Sequence, residues 1–437
     1  MKKRNNAAVA AISVLILSVL TTGCTPSGPD SQAADGMISS GNATVDIQND
    51  ITQSADDVSS SDTASSEKKD LFTERDLKQT ADETGATTLT VADNTTLAAD
   101  SEGVYILSGA ASNCTLRVDA GEDAKVQIVL KNADISNDDF PCIYVVSAKK
   151  VFITTGENTE NSLKVTGEFN TDGDTNTDAV IFAKDDIVLN GLGLLNINSA
   201  KGNGITGKDD VKFTGGTYSI VTSGNGIEAK DSLSICDGSY NITSSKSAIR
   251  CRDKDDTSKG SAYFSGGTFT VSAGDNGIQA VTGITIDDGS FDISSSEGME
   301  TTVYKQNGGS VTIKASDDGI NVSDKSSAFT PTVTINGGSL NITMGAGDTD
   351  AIDVNGSLYV NGGEINITAR FAFDFDNEAL LNGGNVIVNG EQVTEIVNSM
   401  QAGPGGPGGP DKPDGKGAPG GPDNPDGQEM PDDADNE

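Results

Sequence analysis

Apolar and polar residues alternate along the middle of the chain in short runs, with a period of two rather than a helical period. Thr217-Tyr218-Ser219-Ile220, Ser239-Tyr240-Asn241-Ile242, Thr268-Phe269-Thr270-Val271 and Ser290-Phe291-Asp292-Ile293 share one template. Ser339-Leu340-Asn341-Ile342 and Glu364-Ile365-Asn366-Ile367 continue it. Corner dipeptides recur at Gly215-Gly216, Asp237-Gly238, Gly266-Gly267, Asp288-Gly289, Gly308-Gly309, Gly337-Gly338, Gly362-Gly363 and Gly383-Gly384, at spacings of 22, 29, 22, 20, 29, 25 and 21 residues. Before each corner lies a second alternating run, such as Val211-Lys212-Phe213. A third sits earlier, from Gly204-Ile205 and Gly226-Ile227 through to Ala372-Phe373. Three short strands per ~22 residues, turned at glycines, predict an all-β parallel β-helix, a solenoid whose rungs stack about 4.8 Å apart. The alternation sends Ile, Phe and Val inward and Thr, Ser and Asn outward. A leucine-rich repeat shares the period, but its leucine/asparagine signature and its helix are missing. A β-sandwich would need antiparallel hairpins. Thr87 to Gly167 shows the same strand grammar and is placed as the first rungs and the cap.

Charge and composition narrow the chemistry. The 437 residues carry 29 basic and 65 acidic side chains, a formal charge of −36, with no histidine and no tryptophan. That excludes His general bases, Ser-His-Asp and Cys-His catalysis, and His-bearing zinc sites. It also excludes a sugar platform built on Trp, and it opposes nucleic acid as a partner. The N-terminus (1–23) reads as a secretory signal peptide: Lys2-Lys3-Arg4, an apolar run from Ala7 to Leu20, then Gly23-Cys24. Gly23-Cys24 resembles a lipobox, so Cys24 is the expected lipidation site and the protein is expected outside the cell, lipid-anchored to the membrane. Residues 24–70 hold few large apolar side chains and read as a disordered tether. Residues 71–402 form the β-helix, and the Pro/Gly/Asp-rich stretch 403–437 reads as a disordered tail. Cys114, Cys142, Cys236 and Cys251 have no C-x-x-C spacing. In an exported protein Cys236 and Cys251 could pair across neighbouring repeats, but buried small apolar residues are the preferred reading for all four.

Stacking turns each repeat position into a column. The residue after each inward Ile faces outward: Thr206, Glu228, Arg250, Gln279, Glu300, Asn321, Asp353 and Asp374. Glu297, Asp317, Asp318, Asp348, Asp350 and Asp376 cluster around its end. Like charges one rung apart repel by roughly 1 kcal/mol per pair even in water. The pattern therefore asks for a hard cation, and oxygen-only ligands point to calcium; a solvated acidic face is the alternative. Two further acidic stretches are noted. Asp172-Gly173-Asp174-Thr175-Asn176-Thr177-Asp178 is either a cation loop or a polar turn. Asp185-Asp186, Asp209-Asp210 and Asp231 follow lysines and read as charge-balanced corners.

Phe72-Thr73-Glu74-Arg75-Asp76-Leu77, Lys208-Asp209-Asp210-Val211, Asp317-Asp318-Gly319-Ile320, Asp350-Ala351-Ile352-Asp353-Val354-Asn355-Gly356-Ser357 and Ala372-Phe373-Asp374-Phe375-Asp376 occur here in one order. Together they resemble bacterial carbohydrate-binding lipoproteins whose domain is a calcium-bearing right-handed parallel β-helix similar to pectate lyases. The resemblance implies a cell-surface protein that binds plant cell-wall polysaccharide, polygalacturonate or cellulose; a non-catalytic binder acting as a monomer is the expectation. A calcium-dependent lyase and a structural adhesin are the alternatives. The lyase reading would rest on the basic cluster Arg250, Arg252 and Lys254, which alternates with Asp253, Asp255 and Asp256.

Overall fold

The computed structural model describes residues 71–347 and 349–399; Cys24, the flanking segments 1–70 and 400–437, and Asp348 lie outside the described residues. Every regular element there is a strand, and 28 strands join by hydrogen bonds into one continuous all-β sheet. The pairing is parallel from one repeat to the next, as a solenoid-like stack requires. Ile205 registers with Ile227, Ile227 with Ile249 and Ile249 with Ile278 on one face. Val211 registers with Leu233 on the next, and Tyr218 with Tyr240 on the third. The upstream strands obey the same rule: Thr87–Thr90 pairs with Gly103–Ser112, and Thr95–Ala99 with Cys114–Asn137. One named pair among the described residues is antiparallel, Asn385–Val388 with Glu391–Val393. It turns at Asn389 and Gly390, both at positive φ (52° and 85°), the signature of an Asn-Gly hairpin.

Period-2 alternation is what fills the interior. Tyr218, Ile220, Tyr240, Ile242, Phe269, Val271, Phe291 and Ile293 are all buried, with a polar residue between each pair. The four aromatics stack along the axis, Tyr218 on Tyr240 at 5.2 Å, Tyr240 on Phe269 at 4.5 Å and Phe269 on Phe291 at 4.6 Å between ring centroids. Phe213 and Phe264 meet them edge-on. The tyrosine hydroxyls are not stranded, because each donates back to its own corner: Tyr218 Oη to Gly215 O and Tyr240 Oη to Asp237 O.

The corners need glycine for two separate reasons. Gly338 sits at φ +80°, where an L side chain is strained, and a Cβ there would lie 2.5 Å from Gly308 O of the rung below. Outside the corners runs an amide ladder: Asn336 Nδ2 donates to Asn307 Oδ1 (2.7 Å), Asn361 to Asn336 (2.8 Å) and Asn382 to Asn361 (2.9 Å). No disulfide joins the four described cysteines. Cys114, Cys142 and Cys251 are buried and Cys236 is half-buried, so the pairing of Cys236 with Cys251 is not made.

The segment Phe72–Gln79 is laid across the rungs as a strap. Asp76 is fully buried, 3.6 Å from Lys150 Nζ, and its backbone oxygen accepts from Asn190 Nδ2 and Thr214 Oγ1. Gln79 bonds Thr214 O and Gly191 N, and Arg75 lies over the Phe152 ring at 4.2 Å.

Candidate functional site

The outward column expected from the sequence is a real column. Phe182, Thr206, Glu228, Arg250, Gln279, Glu300, Asn321, Asp353 and Asp374 follow one another in register, one per rung. Beside it, at the turn leading into each of these strands, runs a second column: Asn203, Asn225, Ser247, Asn276, Glu297, Asp318 and Asp350. The sequence carries this one too, in the recurring Asn-Gly-Ile, Ser-Ala-Ile and Asp-Gly-Ile triplets, but only its acidic end was singled out from the pattern.

In its first half the turn column satisfies itself, because an amide both donates and accepts. Asn225 N donates to Asn203 Oδ1 (2.7 Å), Ser247 N to Asn225 Oδ1 (3.2 Å), and Asn276 Nδ2 to Glu297 Oε2 (2.9 Å). From Glu297 onward each position is a carboxylate, which can only accept. Asp318 Oδ1 takes the Asp350 N–H at 3.1 Å. In the same rungs the face column becomes acidic as well. Burial, then Asp318, Asp374, Asp350 and Asp376, push the Asp353 carboxyl up to about 7. Burial, then Glu300 and Asp318, push Glu297 up to about 7, and burial also raises Asp318.

The remaining candidates divide by what they touch. Glu300, 8 % exposed, is committed: Oε2 accepts from Asn276 Nδ2 (3.0 Å) and from Gln279, and Oε1 pairs with Lys325. Asp374 Oδ1 accepts from Asn398 Nδ2 at 2.8 Å. Asn321 is half-buried between Glu300 and Asp353, whereas Asp317 and Asp376 are exposed at the rim. Among the described residues no group of three or more carboxylates closes tightly enough to enclose a metal ion. The donor set therefore fits a hard cation in chemistry, as an open row of oxygens rather than a finished cage. In the 172–178 stretch Asp172 accepts from Tyr144 Oη at 2.8 Å, so its carboxylate is taken up by the fold.

Next to the acidic end, the same face carries cations. Two insertions, 252–260 and 323–331, rise from the two long rungs and touch where Ser326 Oγ donates to Thr257 O. The first walls a groove of about 300 Å³ lined by Lys208, Glu228, Lys230, Arg250, Arg252, Lys254 and Asp255. It continues into one of about 270 Å³ over Gln279 and Val281, with Lys325 on its far side. A larger cavity, about 550 Å³, lies on a different face between Tyr263, Lys305 and Phe329. Its one aromatic hydroxyl, Tyr263 Oη, donates to Asp287 at 2.6 Å, so its walls present little polar chemistry with which to orient a sugar.

Known proteins share this arrangement of sequence. A carbohydrate-binding domain-containing protein of Acetivibrio thermocellus is 33 % identical over 120 residues, 27 % of this chain and 42 % of that protein, so the chain spans less than half the length of the curated relative it matches. The solved structure of the polysaccharide lyase-like protein from C. thermocellum, a gadolinium derivative, is 25 % identical with a TM-score of 0.45, covering 54 % of this chain and 96 % of that one. The family described as carbohydrate-binding domain-containing protein matches residues 93–308 and 302–399, most of the chain from the first rungs to the terminal hairpin. The chain belongs to that carbohydrate-binding domain-containing protein family.

Proposed function

We propose that this protein binds plant cell-wall polysaccharide, polygalacturonate or cellulose, without catalysis, along the outward column of a right-handed parallel β-helix. In this reading it is a monomer held at the outer cell surface through lipidated Cys24. The observation that carries the site is the simultaneous change of two adjacent columns to carboxylates, Glu297, Asp318 and Asp350 in one and Asp353 and Asp374 in the other. Carboxylates raised by burial and by one another release that repulsion on gaining a divalent hard cation. Asp318, Asp353 and Asp374 would hold calcium, with Glu297, Asp350 and Asn321 beside them and Asp317 and Asp376 at the rim. Glu300 serves instead to anchor Lys325. A bound cation supplies positive charge at an acidic surface, which lets a polyuronate approach a protein of charge −36. The long rung face, with a polar residue at alternate positions, suits an extended polymer.

The test is a pull-down of the purified protein on polygalacturonate and on cellulose, with calcium and with a chelator, while unsaturated product is followed by absorbance. Calcium-dependent retention on polygalacturonate without absorbance change is the expected result. Retention on neither polymer in any condition would overturn the reading, and a rising absorbance would replace binding with lyase chemistry.

A further inference from the structure

We propose that the groove over Arg250 and Arg252 is a subsite for the anionic group of an acidic sugar residue, gripped directly by guanidinium and not through a metal. The inference rests on the carbohydrate-binding reading and adds a second, oppositely charged site to it. Arg250 occupies the outward column itself, in register between Glu228 and Gln279. Its Nε is buried and has no hydrogen-bond partner, while the residue as a whole is half-buried and lines the groove. Arg252 is exposed on the same groove two residues later, at the root of the 252–260 insertion.

Carboxylates are abundant here, yet neither guanidinium is ion-paired among the described residues, because the nearby acids are spent elsewhere. Asp253 is 4 % exposed; its Oδ1 accepts from the N–H groups of Asp255 (2.8 Å) and Asp256 (3.2 Å), and its Oδ2 faces Lys230 at 3.4 Å. Asp255 also faces Lys230, at 3.6 Å. Glu228, directly beside Arg250 in the column, gives Oε2 to Asn225 Nδ2 (2.7 Å) and Asn203 Nδ2 (3.4 Å). In a protein of charge −36, two arginines held out of reach of their own neighbours' carboxylates leave room for a carboxylate from outside. A planar guanidinium matches a planar carboxylate by two parallel hydrogen bonds, and it matches a sulfate nearly as well. About 300 Å³ accommodates roughly one sugar ring with its charged substituent. The groove lies about four rungs, or ~19 Å, from Asp353 along the column, so one extended chain can reach both sites.

The experiment is calorimetry on the purified full chain in excess chelator, which silences the acidic end. The probes are trigalacturonate, its methyl ester and a sulfated galactan trisaccharide. Wild type is expected to bind trigalacturonate and to bind the ester at least ~10-fold more weakly. Arg250→Gln and Arg252→Gln should each weaken the acid about 10-fold with the ester unchanged, and Arg252 is exposed enough that its variant folds normally. Lys305→Gln, which removes a cation from the cavity on the other face, should leave binding in chelator as it was. Preference for the sulfated probe over the uronate keeps the site and assigns its anion as sulfate. Unchanged affinity in both arginine variants, or binding of trigalacturonate that chelator abolishes, overturns the subsite while leaving calcium-bridged binding intact. Equal affinity for a short DNA strand overturns the sugar assignment. Loss of all polymer binding, with and without calcium, would instead sink the proposed function.

Discussion

Asp353 and Glu297 hold the sharpest conflict at the scale of single residues. Each carboxyl is raised to about 7 by burial first and by neighbouring carboxylates second. A group whose pKa is higher folded than unfolded favours folding while it is protonated. That contribution is complete below the unfolded value near 4 and disappears as pH rises through about 7. The metal-free protein should therefore lose thermal stability between about pH 4 and pH 7, and saturating calcium should flatten the slope; scanning calorimetry at a series of pH values reads both. Asp353→Asn separates the two roles of the same side chain. Removing one of several mutually repelling charges should raise the melting temperature of the metal-free protein. It should also weaken calcium by at least ~10-fold, as expected when one charge at 4–5 Å is lost from a partly buried site. A variant that loses stability in the absence of calcium would show that Asp353 is held by partners rather than strained by them.

The rungs themselves rest on packing along the axis and on backbone at the corners. Phe269 is stacked between Tyr240 and Phe291 at 4.5 and 4.6 Å, so Phe269→Ala leaves a gap lined on both sides and should cost about 3–5 kcal/mol in denaturant unfolding. Gly338→Ala meets strain at φ +80° and a backbone oxygen 2.5 Å away, which cannot swing aside as a side chain would; about 1–3 kcal/mol of destabilisation is expected. These elements were readable from the sequence because a solenoid repeats its local rules. Tyr218, Tyr240, Phe269 and Phe291 fall at one offset from their corners, and the column from Thr206 to Asp374 falls at another. What escaped the pattern depends on contacts that do not repeat. Lys325, which neutralises Glu300, sits in an insertion a full rung away, so its partner had no periodic signal. The strap from Phe72 to Gln79 was recognisable as a motif, but its burial against Lys150, Asn190 and Thr214 spans separations of 114 and 138 residues that alternation says nothing about. The terminal hairpin did leave a local mark, the Asn389-Gly390 pair, which the repeat grammar passed over.

For the molecule as a whole, the net charge and the groove act on an anionic ligand over different distances, and that difference is measurable. A charge of −36 repels a uronate oligomer from far away, whereas Arg250 and Arg252 attract it only once it has docked. Salt screens the far field first: the Debye length falls from about 30 Å at ~10 mM to about 8 Å at ~150 mM. Long-range repulsion governs association and close ion pairs govern dissociation. In chelator, raising salt across that range should therefore speed the association of trigalacturonate, opposite to the usual behaviour of a steered complex, while also speeding its release. Stopped-flow mixing gives both rates. The Arg250→Gln and Arg252→Gln double variant should keep the salt-accelerated association, because two charges barely change a field of this size. It should release the ligand faster at every salt concentration and lose most of the salt dependence of that step. An association rate that falls with salt in the wild type would mean that the local cations outweigh the global charge even at a distance, and the acidic surface would then be no barrier to a polyuronate without calcium.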